Sequence, residues 1–254
     1  MIMPVDALTK LMPNFLFILL RTGIVLMMLP FFSSRSFPAQ FRIGIAVALA
    51  LVLAPVVEFQ VAKSAIPMVI IREIMFGMIF GLAARALFFA VDMAGHVMSS
   101  ATGLSMATSF NPEMGPSTDI SQLYSIFAML ICLAMDVHHD LISVLARSYE
   151  WLPAGTANVA GILSAGVSFT TKIFVIALKI SAPVLIIMLI SNILLGFVYR
   201  AVPQMNVFFV AQPVYLFIGF FTMMISLPVF AYVMGGYFNG IQDELGRVIG
   251  MMKG

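Results

Sequence analysis

Long apolar runs dominate the chain and determine its predicted fold class. A helix needs about 20 mostly apolar residues to cross a bilayer, and several runs reach or approach that length. None of them alternates polar and apolar residues with the period of two that marks a half-buried strand. We therefore predict an all-α, hydrophobic, multi-helix protein that associates with a membrane. The predicted helical segments are 11–32, 41–57, 66–91, 93–110, 120–135, 159–199 and 207–234.

Proline-containing stretches separate the apolar runs. The sequence NPEMGPSTD at 111–119 predicts a loop, and RAVPQMN around Pro203 predicts a further turn. The run 159–199 is longer than a single span and contains Pro183. It is therefore predicted to be either one long bent helix or a tight hairpin.

The C-terminal segment differs from the rest of the chain in its polarity. Ile241, Leu245, Val248 and Met252 fall on one face of a helix, with charged residues elsewhere. Asn239 is placed to cap this helix at its N-terminus. The pattern predicts a short amphipathic helix that lies at a surface or against a partner.

Composition narrows the class of protein. Of 254 residues, 62% are hydrophobic and 9% are charged, and the mean hydropathy is +1.09. Soluble domains are about 45–50% apolar and about 25% charged, so a free cytosolic enzyme, a disordered chain and a disulfide-rich secreted scaffold are excluded. The net charge of +2 is too small to predict a nucleic-acid partner. A single cysteine, Cys132, forms no internal disulfide.

Charged residues inside the apolar runs make a simple membrane-spanning arrangement costly. Each Lys or Arg near the centre of a bilayer costs about 2.5–3.5 kcal/mol. Two explanations remain open: the charges line a polar path, or the helices pack against other subunits rather than lipid. The first would make the chain a secondary transporter, with broken helices at Pro183 and Pro213. Its polar pathway would comprise Arg72, Glu73, Lys172 and Lys179, while Arg21 and Arg85 are further charges of this kind.

Small residues at helical spacing favour the second explanation. Gly95, Ser99, Gly103 and Ala107 form a ladder at intervals of four, and Gly77 begins a GxxxG step. Small faces let helix backbones approach closely, either within the chain or between subunits.

The densest ionisable cluster contains Asp136, His138, His139 and Asp140. On a helix the two aspartates share a face while the histidines point elsewhere, so the cluster does not match a zinc-binding HExxH motif. The sequence contains no nucleotide-binding glycine motif, nucleophile elbow or zinc-ligand spacing. We therefore predict no catalytic residue, no metal and no cofactor.

Four blocks in this sequence resemble one family. They are LPFFSS after Arg21, GLSMATSFNP at 103–112, DVHHDLISVLARSYEWLP at 136–153, and SAPVLIIMLISNILLGFVYRAVPQMNVF at 181–208. Together they resemble the FliR/SctT family of type III export-gate subunits, and the VHHDLI block is closer to the flagellar members.

The resemblance implies a fold, a function and partners. It implies a FliP-like helical part at 1–158 with a plug loop near 104–119, a FliQ-like helical hairpin at 159–234, and an amphipathic helix at 235–254. It implies a non-enzymatic, channel-forming subunit that assembles with FliP-like and FliQ-like subunits, and with an FlhB-like export switch protein nearby. Unfolded flagellar proteins would pass through this gate at the flagellar basal body, in the bacterial inner membrane and in contact with its lipid.

The resemblance also implies roles for particular residues. The pore would be occluded by plug residues Met106, Phe110, Asn111, Pro112 and Met114. Subunit packing would involve Gly95, Ser99, Gly103, Ala107, Arg200, Pro203, Gln204 and Asn206.

Overall fold

Helices form the regular structure of the described part of the chain. The computed structural model describes residues 5–29, 32, 38–55, 57, 66–105, 119–153, 155–201 and 207–253. No strand occurs among these residues, which confirms the predicted all-α fold. The helices are α1 (Val5–Met28), α2 (Ala39–Leu53), α3 (Ile66–Thr102), α4 (Asp119–Ala134), α5 (Val137–Trp151), α6 (Val159–Ala201), α7 (Val207–Asn239) and α8 (Ile241–Lys253).

Within the part of the chain that the structure describes, three helices are long and apolar enough to cross a membrane. They span Ile66–Thr102, Ala160–Ala201 and Ala211–Asn239, and the number rises to four if α4 and α5 together count as one broken span. Since a span needs about 20 apolar residues, the lengths support the predicted membrane association.

Helix α3 is continuous where the sequence predicted two segments. The boundary had been placed at Asp92, between the runs 66–91 and 93–110, and this prediction was wrong. Neither proline nor glycine interrupts the helix there, and one acidic residue leaves the backbone hydrogen bonds intact. Asp92 therefore lies on the face of a helix rather than at its end.

Helices α6 and α7 run through their internal prolines. Pro183 lies within α6, and Pro213 and Pro228 lie within α7. Of the two arrangements predicted for 159–199, the structure therefore has the single long helix. The broken helices on which the transporter alternative depended do not occur in α6 or α7.

The chain divides into two compact units, each made of several separate segments. Unit 1 comprises 1–86, 136–171 and 239–254, so it contains α1, α2, the first half of α3, α5, the start of α6 and α8. Its core includes Ile18, Ala50, Ala54 and Tyr149, where α1 packs against α2. Burial of these apolar side chains is the main favourable contribution to packing.

Two glycines bring α3 close to α1 in unit 1. A Cβ added at Gly77 would lie 3.1 Å from the Cβ of Ile24, and one at Gly81 would lie 2.7 Å from the Cβ of Met28. The GxxxG step identified in the sequence therefore packs against the chain's own first helix, where small residues permit close approach.

Helix α8 packs within unit 1, by the apolar face that the sequence predicted. Its buried residues are Ile241, Leu245, Val248, Ile249 and Met252. The face contacts α5 of the same chain rather than an outside partner. The helix begins after Gly240, whose carbonyl accepts the Glu244 N–H at 3.1 Å, so the predicted cap at Asn239 is wrong by one residue.

Backbone and side-chain hydrogen bonds hold the two ends of α8. The Asn158 N–H donates to the Met252 carbonyl at 2.9 Å, and the Gln242 amide donates to Asp140 at 2.6 Å. Gly161 lies so close to the Met251 carbonyl that a Cβ would overlap it. The C-terminal helix is thus fixed to the start of α6 as well as to α5.

Unit 2 comprises 87–135 and 172–238, which contain the second half of α3, α4, most of α6 and nearly all of α7. The Tyr124 ring meets the Phe230 ring edge-on at 5.0 Å between centroids, and its hydroxyl lies 3.4 Å from the Ser226 Oγ. A second aromatic pair, Phe88 on α3 and Phe238 on α7, has its ring centroids 6.0 Å apart. These aromatic contacts join α3, α4 and α7. They stabilise the packing by more than the burial of their apolar area alone would give.

Candidate functional site

A completely buried arginine is the most unusual feature of unit 1. Arg21 lies on α1 and is 0% exposed, and its partner Glu73 on α3 is 1% exposed. The Arg21 Nε donates to Glu73 Oε2 at 2.6 Å, and Nη2 donates to Oε1 at 2.9 Å. The two parallel hydrogen bonds make a bidentate ion pair, the geometry that a planar guanidinium forms with a carboxylate.

The remaining donors of Arg21 bind the end of α5. Nη1 donates to the Ser148 carbonyl at 3.2 Å and to the Leu152 carbonyl at 3.2 Å, and Nη2 also donates to Leu152 at 3.1 Å. The Ser148 carbonyl already accepts the Leu152 N–H at 2.9 Å, whereas the Leu152 carbonyl lies just beyond the helix, where the helix supplies no backbone partner. The cationic side chain therefore caps α5 and is favoured there by the helix dipole.

Two aromatic rings enclose the guanidinium. Its central carbon lies 4.3 Å from the centroid of Phe76 and 4.5 Å from that of Tyr149. The Tyr149 hydroxyl lies 2.9 Å from the Thr22 Oγ1 and donates to the Ile18 carbonyl at 3.2 Å. The two rings exclude water from the guanidinium. Their faces also attract the cation, which offsets part of the cost of removing its charge from water.

The segment that joins α5 to α6 is held by the same part of α3. Glu73 Oε1 accepts the Gly155 N–H at 3.0 Å, and Arg72 Nη1 donates to the Gly155 carbonyl at 2.6 Å. Gly155 has a φ of +76°, a conformation that glycine adopts without strain. Both backbone groups of one residue are thus bonded to adjacent side chains.

We call Arg21, Arg72, Glu73 and their hydrogen-bond partners the buried node. It joins α1, α3, α5 and the α5–α6 connection in one network. Removing two charges from water is costly, and the cost is offset only where the geometry is good and further hydrogen bonds satisfy both groups. The Arg21–Glu73 pair meets both conditions, so the chemistry of the buried node is that of a fixed structural junction.

The residues of the predicted polar pathway have different surroundings. Glu73 and Arg72 are bonded within the buried node. Lys172 and Lys179 are exposed on the part of α6 that belongs to unit 2, where Lys179 lies 3.5 Å from the Tyr237 hydroxyl. Sequence reasoning identified Arg21 and Glu73 as costly charges but did not pair them, because they are 52 residues apart.

The predicted packing residues that the structure describes lie in unit 2. A Cβ added at Gly95 would overlap the backbone of Ser121 on α4, and Gly103 has a φ of +81° and lies against Gln212 on α7. Ser99 is buried between them, and Arg200 is exposed near the end of α6. The contacts of the two glycines are with the chain's own helices, and the role of the set in subunit packing stays a prediction.

Several predicted residues lie outside the described part of the chain. This is the case for all five plug residues, Met106, Phe110, Asn111, Pro112 and Met114. It is also the case for the packing residues Ala107, Pro203, Gln204 and Asn206.

The histidine cluster is arranged differently from the prediction. Asp136 precedes α5 in a left-handed conformation, with φ of 55°, and is not part of that helix. Its Oδ1 lies 3.6 Å from His139 Nδ1, and possible ligand atoms of Asp136, His138 and His139 all lie within 4.8 Å of one another. The expectation that the histidines point away from Asp136 was therefore wrong. These three could hold a metal ion, although a structural zinc site has four protein ligands.

Helices α6 and α7 leave long apolar faces uncovered. In the most apolar stretch of each helix, the buried share is 33% for α6 and 28% for α7. The corresponding share for α3 is 61%. Large exposed apolar patches mark protein or membrane contacts. The exposed side chains include Leu189, Ile193, Phe197, Phe217, Phe221 and Ile225.

These features together define an all-helical membrane-associated protein with a rigid buried node and apolar faces that require lipid or other subunits. Comparison of its sequence with known families agrees with this class. The chain belongs to the family described as bacterial export proteins, family 1, whose model matches residues 12–241.

Individual relatives extend over most of the chain. It is 30% identical to the flagellar biosynthetic protein FliR of Caulobacter vibrioides over 232 residues, which cover 88% of this chain and 92% of the relative. It is 27% identical to FliR of Bacillus subtilis, with coverage of 92% and 93%. It is 28% identical to the secretion system apparatus protein SsaT of Salmonella typhimurium, with 61% of each chain covered. These relatives confirm the resemblance to the FliR family and support a subunit of a type III export apparatus.

Proposed function

We propose that the chain is a structural, channel-forming subunit of the flagellar type III export gate, and that it forms the entrance for unfolded flagellar proteins together with FliP-like and FliQ-like subunits. The observation that carries this proposal is the exposed apolar surface of α6 and α7, on a chain that belongs to an export family. A helix that is apolar all round requires burial against protein or lipid.

The organisation and location follow from the same proposal. Residues 1–158 are the FliP-like part and 159–234 the FliQ-like hairpin, with an FlhB-like switch protein as a further neighbour. The complex lies in the bacterial inner membrane at the flagellar basal body. Three helices in the described part of the chain support such a location, because each is long and apolar enough to cross a bilayer. Catalysis is no part of the proposed role, since the buried node is bonded as a structural junction.

Co-purification tests the proposed assembly. A tagged chain is expressed with and without its FliP-like and FliQ-like partners, and native mass spectrometry measures the composition of what is recovered. We expect the chain to be recovered in a complex with both partners, and to be degraded or aggregated when they are absent, because its apolar faces are then uncovered. A stable, monodisperse monomer that takes up a solute into liposomes would favour the transporter alternative instead.

We further propose that residues 106–116 plug the pore of the closed gate. An apolar loop excludes water and ions while remaining displaceable, because it is held by few regular hydrogen bonds. Deleting 106–116 is expected to raise ion conductance through the reconstituted complex in planar bilayers. The unshortened complex at the same protein-to-lipid ratio is the control, and equal conductance of the two would contradict the plug.

A further inference from the structure

The start of α5 in unit 1 brings three possible metal ligands together. Asp136 precedes the helix, and His138 and His139 lie in its first turn. One ligand atom from each of these side chains lies within 4.8 Å of the other two. We call Asp136, His138 and His139 the three-ligand cluster. A carboxylate and two imidazoles can each donate a lone pair to the same ion, so the cluster has the chemistry of a metal site.

The carboxylate of Asp136 does not have the usual role of its position. An aspartate at the N-cap normally accepts a backbone N–H from the first turn of the helix. The Asp136 side chain makes no capping hydrogen bond, and its Oδ1 lies 3.6 Å from His139 Nδ1, too far for a hydrogen bond. Among the described residues other than glycine, only Asp136 has a positive φ. This less favourable backbone conformation directs the carboxylate toward the histidines rather than toward the helix.

The side chains are close to the geometry that one ion requires. The rings of His138 and His139 have their centroids 4.1 Å apart, with an angle of 41° between their planes. Ligand atoms that surround a tetrahedral zinc ion at its usual bond lengths are about 3.3 Å apart, so movements of about 1 Å at each atom would close the cluster around an ion. The side chains of Asp136 and His139 are 73% and 71% exposed, which leaves them room for such movements.

The backbone that carries the three-ligand cluster is fixed to the rest of unit 1. Val137 is buried, and the His139 N–H donates to the Asp136 carbonyl at 2.9 Å. The next carboxylate, that of Asp140, accepts the Gln242 amide of α8 at 2.6 Å and is therefore held nearby. The N-terminus of a helix disfavours a cation because of the helix dipole. The negative charges of Asp136 and Asp140 offset that effect at this position.

We propose that the three-ligand cluster binds a divalent transition-metal ion, with zinc as the ion to be tested. Two imidazoles and one carboxylate favour zinc over Mg²⁺ and Ca²⁺, which prefer oxygen ligands. Since the chain supplies three ligands, water completes the coordination and the ion can exchange. The ion joins Asp136 to the first turn of α5 and so stabilises the start of this helix. The proposal replaces the sequence-based expectation of no metal, and it does not depend on the proposed function.

Zinc binding to the purified protein tests the proposal. The chain is purified from membranes with its associated subunits, by means of a tag that contains no histidine. Asp136→Asn and His139→Ala alter exposed side chains, and asparagine tolerates the left-handed conformation, so both variants should keep the fold. His96→Ala is the matched control, because His96 lies 3.8 Å from Asp92 but belongs to no group of three ligands among the described residues. Bound metal is measured by mass spectrometry of the elements after dialysis against buffered free Zn²⁺.

We expect the wild-type protein to bind one more zinc ion per chain than either cluster variant. Each variant should lose at least about tenfold in affinity, because loss of an outer-shell partner alone costs about 10–100-fold. His96→Ala should bind zinc as the wild type does, and an excess of Mg²⁺ should not displace the ion. Equal zinc content in the wild type and either cluster variant, an equal fall in His96→Ala, or displacement by Mg²⁺ would overturn the proposal and leave the proposed function intact.

Discussion

Replacing Arg21 by methionine is expected to lower the free energy of unfolding of the chain by about 3–5 kcal/mol, because the Glu73 carboxylate would remain buried without its partner. The variant also removes the donors to the Ser148 and Leu152 carbonyls. The expected readouts are a lower melting temperature of the purified complex and a reduced amount of the chain in membranes. Export should fall with the amount of intact complex rather than separately from it.

Arg247→Met is the matched control for this experiment. Arg247 pairs with Glu244 at 2.9 Å, close to the distances of the Arg21–Glu73 bonds, but its side chain is 65% exposed. Exposed pairs contribute about 0–1 kcal/mol, so this variant should melt close to the wild type. A similar loss from both variants would show that burial of the first pair has no special energetic importance.

The double variant Arg21→Met/Glu73→Met distinguishes two contributions to the loss of stability. One is the unpaired charge of Glu73, and the other is the loss of hydrogen bonds. Replacing both members of a buried pair by apolar residues avoids an unpaired charge and is often neutral. Here the Gly155 N–H and the Leu152 carbonyl also lose their partners, at about 1 kcal/mol each, while the Ser148 carbonyl keeps the Leu152 N–H. The double variant should therefore be more stable than Arg21→Met, yet less stable than the wild type. If it is less stable than Arg21→Met, the unpaired Glu73 charge is not the source of the first effect.

The sequence was sufficient to predict which segments are helical but not which helix faces meet. Apolar runs longer than a strand predict helices directly, and the internal prolines of α6 and α7 did not break them. Arg21 and Glu73 could each be recognised as a charge that needs a partner. Their pairing could not, since contact between α1 and α3 depends on long-range packing that no local pattern encodes.

Two local misinterpretations have physical causes that are visible in the structure. The apolar pattern predicts a boundary at Asp92, but an acidic residue on an open helix face leaves the helix intact. His138 and His139 were placed on a helix together with Asp136, whose left-handed backbone turns its carboxylate toward them instead. Both errors came from extending a helical pattern, or ending it, without knowledge of the backbone dihedral angles.

Replacing Gly95 by alanine is the second change with a large expected effect. The added Cβ would overlap the Cα and N atoms of Ser121, and backbone atoms of a packed helix cannot move aside as a flexible side chain can. Overpacking of a close helix contact costs about 1–3 kcal/mol and sometimes more. We expect α3 and α4 to be forced apart, with a lower melting temperature and faster proteolysis of unit 2.

Gly235→Ala is the control within the same unit. A Cβ at Gly235 would lie 3.8 Å from the Met135 Sδ, an ordinary contact, and the residue lies inside α7. Replacing a helical glycine by alanine without a clash stabilises by about 0.5–1 kcal/mol, so this variant should melt at or slightly above the wild-type temperature. A loss of stability here would mean that the effect at Gly95 does not arise from the overlap with Ser121.

The same pair of variants decides whether the small-residue ladder acts within the chain or between subunits. If Gly95 spaces α3 from α4, the complex that contains Gly95→Ala melts at a lower temperature and its unit 2 is proteolysed faster. If the ladder instead contacts a neighbouring subunit, the complex that does form melts normally and only its yield falls. The contact of Gly95 with Ser121 favours the first outcome, because that side of α3 is already occupied by the chain itself. A normal melting temperature combined with a low yield of complex would assign the ladder to the interface between subunits.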